Sequence, residues 1–181
     1  MLGNLRLPVA AAAALFLAGC ATVNIDGAVQ EANRAVPEFT QGHLQLNRTA
    51  QQREQADQLT NQLLAGDLAM DGAVQIALAN SPSVQALIAE SWGQMATADQ
   101  SGRIPNPVFA FERIRSGDEL ELGRLLSFGL LDLLTLPQRR LIAGNQVAQG
   151  KVQLTASVVE QVSQARQAWV RAVAARQVMQ Y

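Results

Sequence analysis

Residues 71–103 carry the period of a helix that packs along one side. Apolar residues recur there at helical spacing, including a four-three repeat typical of a packing seam: Val74, Leu78, Ile88, Trp92 and Met95. Pro82 suits the first turn of a helix, and Ser81 can cap a helix that restarts there. We therefore predict a break at Ser81 and an end of the helical pattern at Pro105 and Pro107.

A second helical pattern runs from Pro137 to Tyr181, with Thr135 and Pro137 suited to opening it. Heptad spacing holds at first, one four-residue step follows, and the pattern then resumes: Val147, Lys151, Leu154, Val158, then Val162, Ala165, Trp169, Ala172, Arg176 and Met179. Such a step relaxes a supercoil toward straighter helices. A helix of this length spans roughly 65 Å, which is too long for a compact domain of this size and predicts neighbouring helices of similar length.

Between these stretches the period changes to two. Residues 108–114 place Phe109, Phe111 and Arg113 on one face, and acidic and apolar residues alternate from Glu119 to Leu122. Ser116-Gly117-Asp118 is a turn signal, so the two runs predict a β-hairpin with one apolar and one charged face. Such a hairpin suits a position between lipid and a wet lumen. It also suits a hairpin that covers a core, and without further context we favour this second interpretation.

The remaining segments are less regular. Residues 49–64 are polar and helix-prone, and Gly66 supplies a stop. With only Leu59, Leu63 and Leu64 as a packing face, we expect this helix to lie on a surface. Residues 21–48 show no clean period, which predicts a linker with a short helix.

Composition narrows the class of protein. The chain has 181 residues, 49% of them hydrophobic but only 4% aromatic. Alanine- and glutamine-rich chains suit long, closely packed helices, so a helical bundle is favoured over a sheet-centred enzyme. The formal net charge is −1, which gives no basic surface that would suggest nucleic acid.

The only cysteine follows a short export signal. Arg6 precedes an apolar run from Leu7 to Ala18, and Leu17-Ala18-Gly19-Cys20 forms a lipobox. The run is shorter than the roughly 20 residues that a transmembrane helix needs. We expect residues 1–19 to be a cleaved lipoprotein signal peptide and Cys20 to carry a covalent lipid. The alternative, an ordinary buried thiol, is less consistent with this position.

The order of elements resembles the first half of a TolC-like outer-membrane efflux protein. Four segments carry the resemblance, which covers about residues 68–181: the "AL-x-N-x-P" pattern within 70–82, Arg103-Ile104-Pro105-Asn106-Pro107, Leu136-Pro137-Gln138-Arg139-Arg140, and Gln167-Ala168-Trp169. The second segment resembles the heavy-metal branch in particular. Each motif is weak alone, and their order and spacing make the match more specific.

The resemblance implies a mainly α fold in which long coiled-coil-like helices flank one hairpin, half of a barrel protomer. It implies a trimer whose strands close an outer-membrane barrel and whose helices form a periplasmic tunnel. The implied partners are a periplasmic adaptor protein and an inner-membrane efflux pump, and substrates pass without chemical change. The protein would then be no enzyme, need no cofactor beyond the lipid on Cys20, and lie in the outer membrane facing the periplasm. Ala21 after the cysteine is consistent with that delivery.

Two departures accompany the resemblance. Ala69 lacks the hydroxyl group that usually caps the opening helix, and the chain holds one helix-strand-strand-helix unit where the family has two. The outer edges of two strands carry backbone N–H and C=O groups that find no hydrogen-bond partner in lipid. We therefore expect either a truncated chain or a barrel closed by several copies. Six copies would be needed if the barrel has twelve strands. The sequence favours truncation. The domains are then residues 1–19, a lipidated linker at 20–67, and the first repeat at 68–181.

Other candidate sites are weak. His43 is the only histidine and has no ligand-type neighbour in sequence, so a metal site is not predicted. Met70, Met95 and Met179 are scattered and are expected to be packing residues. Glu112, Glu119 and Glu121 could line a lumen and favour cations, although a solvated face explains them equally. A lipid-anchored periplasmic interaction protein without a pore remains the alternative function, and the metal-branch motif slightly favours cations as substrate.

Overall fold

The computed structural model describes residues 23–180 except residue 118, and leaves the side chains of Ser116 and Glu119 undescribed. The predicted signal peptide at 1–19 and the predicted lipid site at Cys20 therefore lie outside the described residues. The described chain is mainly helical with one two-stranded antiparallel hairpin, which confirms the predicted class. Its elements are α1 (Ile25–Ala35), α2 (Pro37–Thr40), α3 (Ala50–Leu64), α4 (Met70–Asn80), α5 (Pro82–Ser101), β1 (Val108–Ser116), β2 (Glu119–Ser127) and α6 (Leu130–Val178).

The break between α4 and α5 falls where the sequence predicts it. Ser81 has extended backbone angles, φ −69° and ψ 124°, as a residue before proline prefers, and Pro82 is the first residue of α5. The side-chain cap expected from Ser81 is absent, since its Oγ lies 2.8 Å from the Oγ of Ser83 instead. Ala69 precedes α4 without a side-chain cap, in line with its lack of a hydroxyl group.

Helix α6 begins at Leu130, seven residues before Pro137, so the predicted start was wrong. Proline lacks an amide hydrogen, and within a helix it forfeits the bond to the carbonyl four residues earlier, here that of Leu133. The turn before it is held by other bonds: the amide of Leu133 donates to Gly129 O at 3.3 Å, and Thr135 Oγ1 donates to Leu131 O at 2.9 Å. The helix continues through the proline because its neighbours supply these bonds.

The hydrophobic core lies between α5 and α6 and extends to α1 and α4. Ile88 on α5 and Val158 on α6 are fully buried, and Met95 is 1% exposed. Leu154, Val158 and Val162 are all buried at successive four-residue steps, so the interruption of the heptad lies in the packed seam. The predicted seam of α5 is confirmed, and that of α6 is confirmed from Val147 to Trp169. Its predicted continuation through Ala172, Arg176 and Met179 was wrong, because these residues are exposed.

Residues 23–48 are more regular than the sequence analysis allowed. The predicted short helix is present as α1, and it packs into the core through one stripe: Ile25, Ala28, Val29 and Ala32. Gly27 does not interrupt the helix because its amide donates to Asn24 Oδ1 at 2.9 Å as part of an N-terminal cap. These four residues have a helical period that the sequence pattern alone did not reveal.

Helix α3 lies on the surface, as predicted. Ala56 is its buried residue, and Leu64 is 55% exposed. Thr49 and Gln52 form a capping box at its N-terminus, with each side chain bonded to the other residue's backbone amide.

Candidate functional site

The register of the hairpin sorts its side chains into two faces. Residues paired across the strands share a face, and successive residues alternate. The first set, which we name the arginine face, comprises Phe109, Phe111, Arg113, Arg115, Leu120, Leu122, Arg124 and Leu126. The opposite set, which we name the glutamate face, comprises Val108, Ala110, Glu112, Ile114, Glu121, Gly123, Leu125 and Ser127. Gly117 closes the turn with φ +60°, a conformation that favours glycine.

Both faces of the hairpin are exposed. On the arginine face Phe109 is 65% and Phe111 58% exposed, and on the glutamate face Leu125 is 61% and Ile114 46% exposed. The interpretation that the hairpin covers a core is therefore wrong for the described chain. The expectation of one apolar and one charged face also needs correction, because each face mixes apolar residues with charges of a single sign.

A short set of close contacts holds the end of α5 against the start of α6, next to the hairpin. Arg139 on α6 donates from Nε and Nη2 to Ser101 O at 3.1 and 2.7 Å, and its Nη1 lies 3.0 Å from Asp132 Oδ1. At Gly102 an added Cβ would lie 2.7 Å from Ala143 Cβ and 3.3 Å from the backbone of α6. The absence of a side chain at Gly102 thus lets the end of α5 approach α6 just below the hairpin.

The segment before α3 is bound along the long helices. Trp92 Nε1 donates to Val23 O at 3.2 Å, Lys151 Nζ lies 2.8 Å from Glu31 Oε2, and Arg166 Nη2 donates to Glu38 O at 2.9 Å. Trp92 lies about halfway along α5, whereas Arg166 lies toward the end of α6 that is far from the hairpin. Between Val23 and Glu38 the segment therefore runs away from the hairpin.

The motif residues that suggested the resemblance make structural contacts. Asn80 Nδ2 donates to Asp57 Oδ1 at 2.9 Å, which ties α4 to α3. Asn47 Nδ2 donates to Ala79 O at 2.6 Å, and Trp169 Nε1 donates to Leu68 O at 2.8 Å. These bonds position α4 and the break after it, and none of them assembles a reactive group.

The weaker candidates do not converge on a site. His43 is half-buried, and its amide donates to Thr40 O at 2.8 Å. Across the described part of the chain, no three histidine, cysteine, aspartate or glutamate residues come together as metal ligands would. Met95 is buried in the core as expected, whereas Met179 is 80% exposed, so the expectation that it packs was wrong. Glu112 and Glu121 share the glutamate face, and the side chain of Glu119 lies outside the described part.

None of the helices within residues 23–180 is long and apolar enough to cross a membrane. Comparisons of the chain with protein-family models, with curated proteins and with solved structures found no match.

Proposed function

We propose that this chain is a subunit of an outer-membrane efflux channel, contributing strands to a barrel and helices to a periplasmic passage. The observation that carries the proposal is the hairpin, which exposes apolar side chains on both faces. Each strand has nine residues, within the roughly 9–11 that a membrane-spanning strand needs. Within the described chain no third strand pairs with the hairpin. In a membrane such edges require further strands, supplied by other copies or by another part of the protein.

The long helices support the periplasmic part of the proposal. Helix α6 has 49 residues and spans about 73 Å, and it packs antiparallel to α5 along the stuttered seam. A helical pair of this length, joined to the hairpin at one end, suits a tunnel wall that reaches from the outer membrane toward a periplasmic adaptor and an inner-membrane pump.

The lipid expected on Cys20 supports delivery to the same membrane. Val23, the first described residue, is held by Trp92 on α5. Substrates would pass unchanged, and the carboxylates of Glu112 and Glu121, which share a face, support cations as cargo.

The test expresses the full chain in a Gram-negative strain that lacks its own outer-membrane efflux duct. A matched variant replaces residues 108–127 with a short glycine-serine turn, which removes the hairpin and keeps the helices. We expect the wild-type chain to fractionate with the outer membrane as a heat-modifiable oligomer and to restore resistance to zinc and nickel salts. The variant should keep its membrane fraction through Cys20 and lose both the oligomer and the resistance.

The alternative function gives a different outcome. A lipid-anchored interaction protein would reach the outer membrane through Cys20, form no heat-modifiable oligomer, and behave identically with and without the hairpin. That result would contradict the channel proposal. Resistance that survives removal of the hairpin would contradict it as well.

A further inference from the structure

The hairpin separates its charges by sign across the plane of the two strands. Arg113, Arg115 and Arg124 lie on the arginine face, whereas Glu112 and Glu121 lie on the glutamate face. All five side chains are exposed. Mixed charges on one face would neutralise each other locally, so this arrangement gives the two faces opposite electrostatic character.

Each of these arginines lies opposite an apolar residue in the register. Arg124 pairs with Phe111, Arg113 with Leu122 and Arg115 with Leu120. The ion pairs found among the described residues do not include these arginines. Their guanidinium groups are thus available to an external acceptor and stand among exposed aromatic and aliphatic side chains.

We infer that the arginine face is a docking surface for an anionic lipid surface. Guanidinium groups bind phosphate oxygens through paired, charge-assisted hydrogen bonds, and the phenylalanine and leucine side chains beside them suit the boundary between headgroups and acyl chains. The glutamate face, which anionic lipid repels, remains in water. The inference concerns the hairpin of a single chain before further strands close a barrel, and it rests on the proposed function for bringing the hairpin to a membrane. Lipid binding itself is measurable without a channel.

The experiment measures cosedimentation of the full chain with lipid vesicles. A Cys20→Ala background removes any contribution from attached acyl chains. Vesicles of phosphatidylcholine alone are compared with vesicles that also contain phosphatidylglycerol. The test variant carries Arg113→Gln, Arg115→Gln and Arg124→Gln, and the matched control carries Glu112→Gln and Glu121→Gln on the opposite face of the same strands. Circular dichroism checks that both keep the helical content of the parent.

We expect the parent to prefer the phosphatidylglycerol vesicles and to release them as salt is added. Because each basic residue near an anionic surface contributes a similar increment, the arginine variant should bind on the order of 100-fold more weakly. The glutamate control should bind at least as tightly as the parent. The inference is overturned if the arginine variant binds like the parent, if both variants lose binding equally, or if neutral vesicles bind equally well.

The same two variants separate this inference from the proposed function. Vesicle binding that depends on the arginines, in a chain that exports nothing, leaves the docking surface standing and contradicts the channel. Export by a chain whose vesicle binding is indifferent to the arginines retains the channel and overturns the docking surface.

Discussion

The helical body and the hairpin use similar apolar residues in opposite ways. In the body, Ile88 and Val158 are fully buried against each other's helices, while in the hairpin Phe111 and Leu125 are 58% and 61% exposed. The apolar side chains of the body pack against one another in a core, whereas those of the hairpin stay exposed in the described chain. This contrast indicates that stability resides in the body and that the hairpin's apolar surface is available for contact with another molecule or with lipid.

The largest expected effect tests the body. Ile88→Ala removes a fully buried side chain and leaves a cavity, so we expect a loss of about 2–5 kcal/mol in the free energy of unfolding. Urea denaturation followed by circular dichroism at the helical band measures it. A loss below about 1 kcal/mol would show that the core is not the source of stability that the contrast assumes.

A smaller effect tests the close approach of α5 to α6 next to the hairpin. Gly102→Ala would place its Cβ 2.7 Å from Ala143 Cβ, and overpacking of this kind costs about 1–3 kcal/mol. Gly93→Ala is the matched control, because its Cβ meets nothing within 4 Å and alanine is the better helix former by up to about 1 kcal/mol. Thermal unfolding of the two variants should shift in opposite directions, and a parallel shift would contradict the close approach at Gly102.

A local effect is expected where the N-terminal segment is bound. Trp92→Phe removes the bond to Val23 O, worth about 0.5–1.5 kcal/mol, and should speed hydrogen exchange in α1. Trp169→Phe, which removes the bond to Leu68 O, should instead speed exchange at the start of α4. If each variant accelerated exchange equally in α1 and at the start of α4, the two indoles would not hold separate segments.

The smallest expected effect tests the exposed apolar side chains of the hairpin. Phe111→Ala should change the free energy of unfolding of the isolated chain in water by less than about 0.5 kcal/mol, because the side chain is exposed and packs in no core. The same denaturation series as for Ile88→Ala measures it. A loss approaching that of the core variant would mean that the hairpin belongs energetically to the body.

The sequence predicted the elements whose patterns are local. The period-two runs around Gly117 identify the hairpin, and the proline after Ser81 identifies the break between α4 and α5. The sorting of arginines and glutamates to opposite faces could also be predicted, since it follows from strand alternation once the turn is fixed at Gly117. The exposure of both faces could not be predicted, because it depends on whether the helical body packs against the hairpin.

The errors came where tertiary contacts outweigh local preference. Ile25, Ala28, Val29 and Ala32 have the spacing of a helical stripe, but small alanines and Gly27 obscure it until α5 and α6 supply the surface that they bury against. The start of α6 was placed at Pro137 because proline normally begins a helix rather than occurring inside one. The lipid site at Cys20 lies outside the described residues and stays a prediction.

Pro137 removes one backbone hydrogen bond from α6 close to the point where the hairpin joins the helices. The missing amide leaves the first turns of α6 tied to the rest of that helix by one backbone bond fewer, a place where helices bend. Arg139 spans this point, with one nitrogen near Asp132 on the hairpin side and two donating to Ser101 at the end of α5. A single guanidinium thus links the helix before Pro137 and the helix after it to the end of α5. Because one of these contacts is a partly exposed ion pair, we expect added salt to weaken it and to make bending at Pro137 easier.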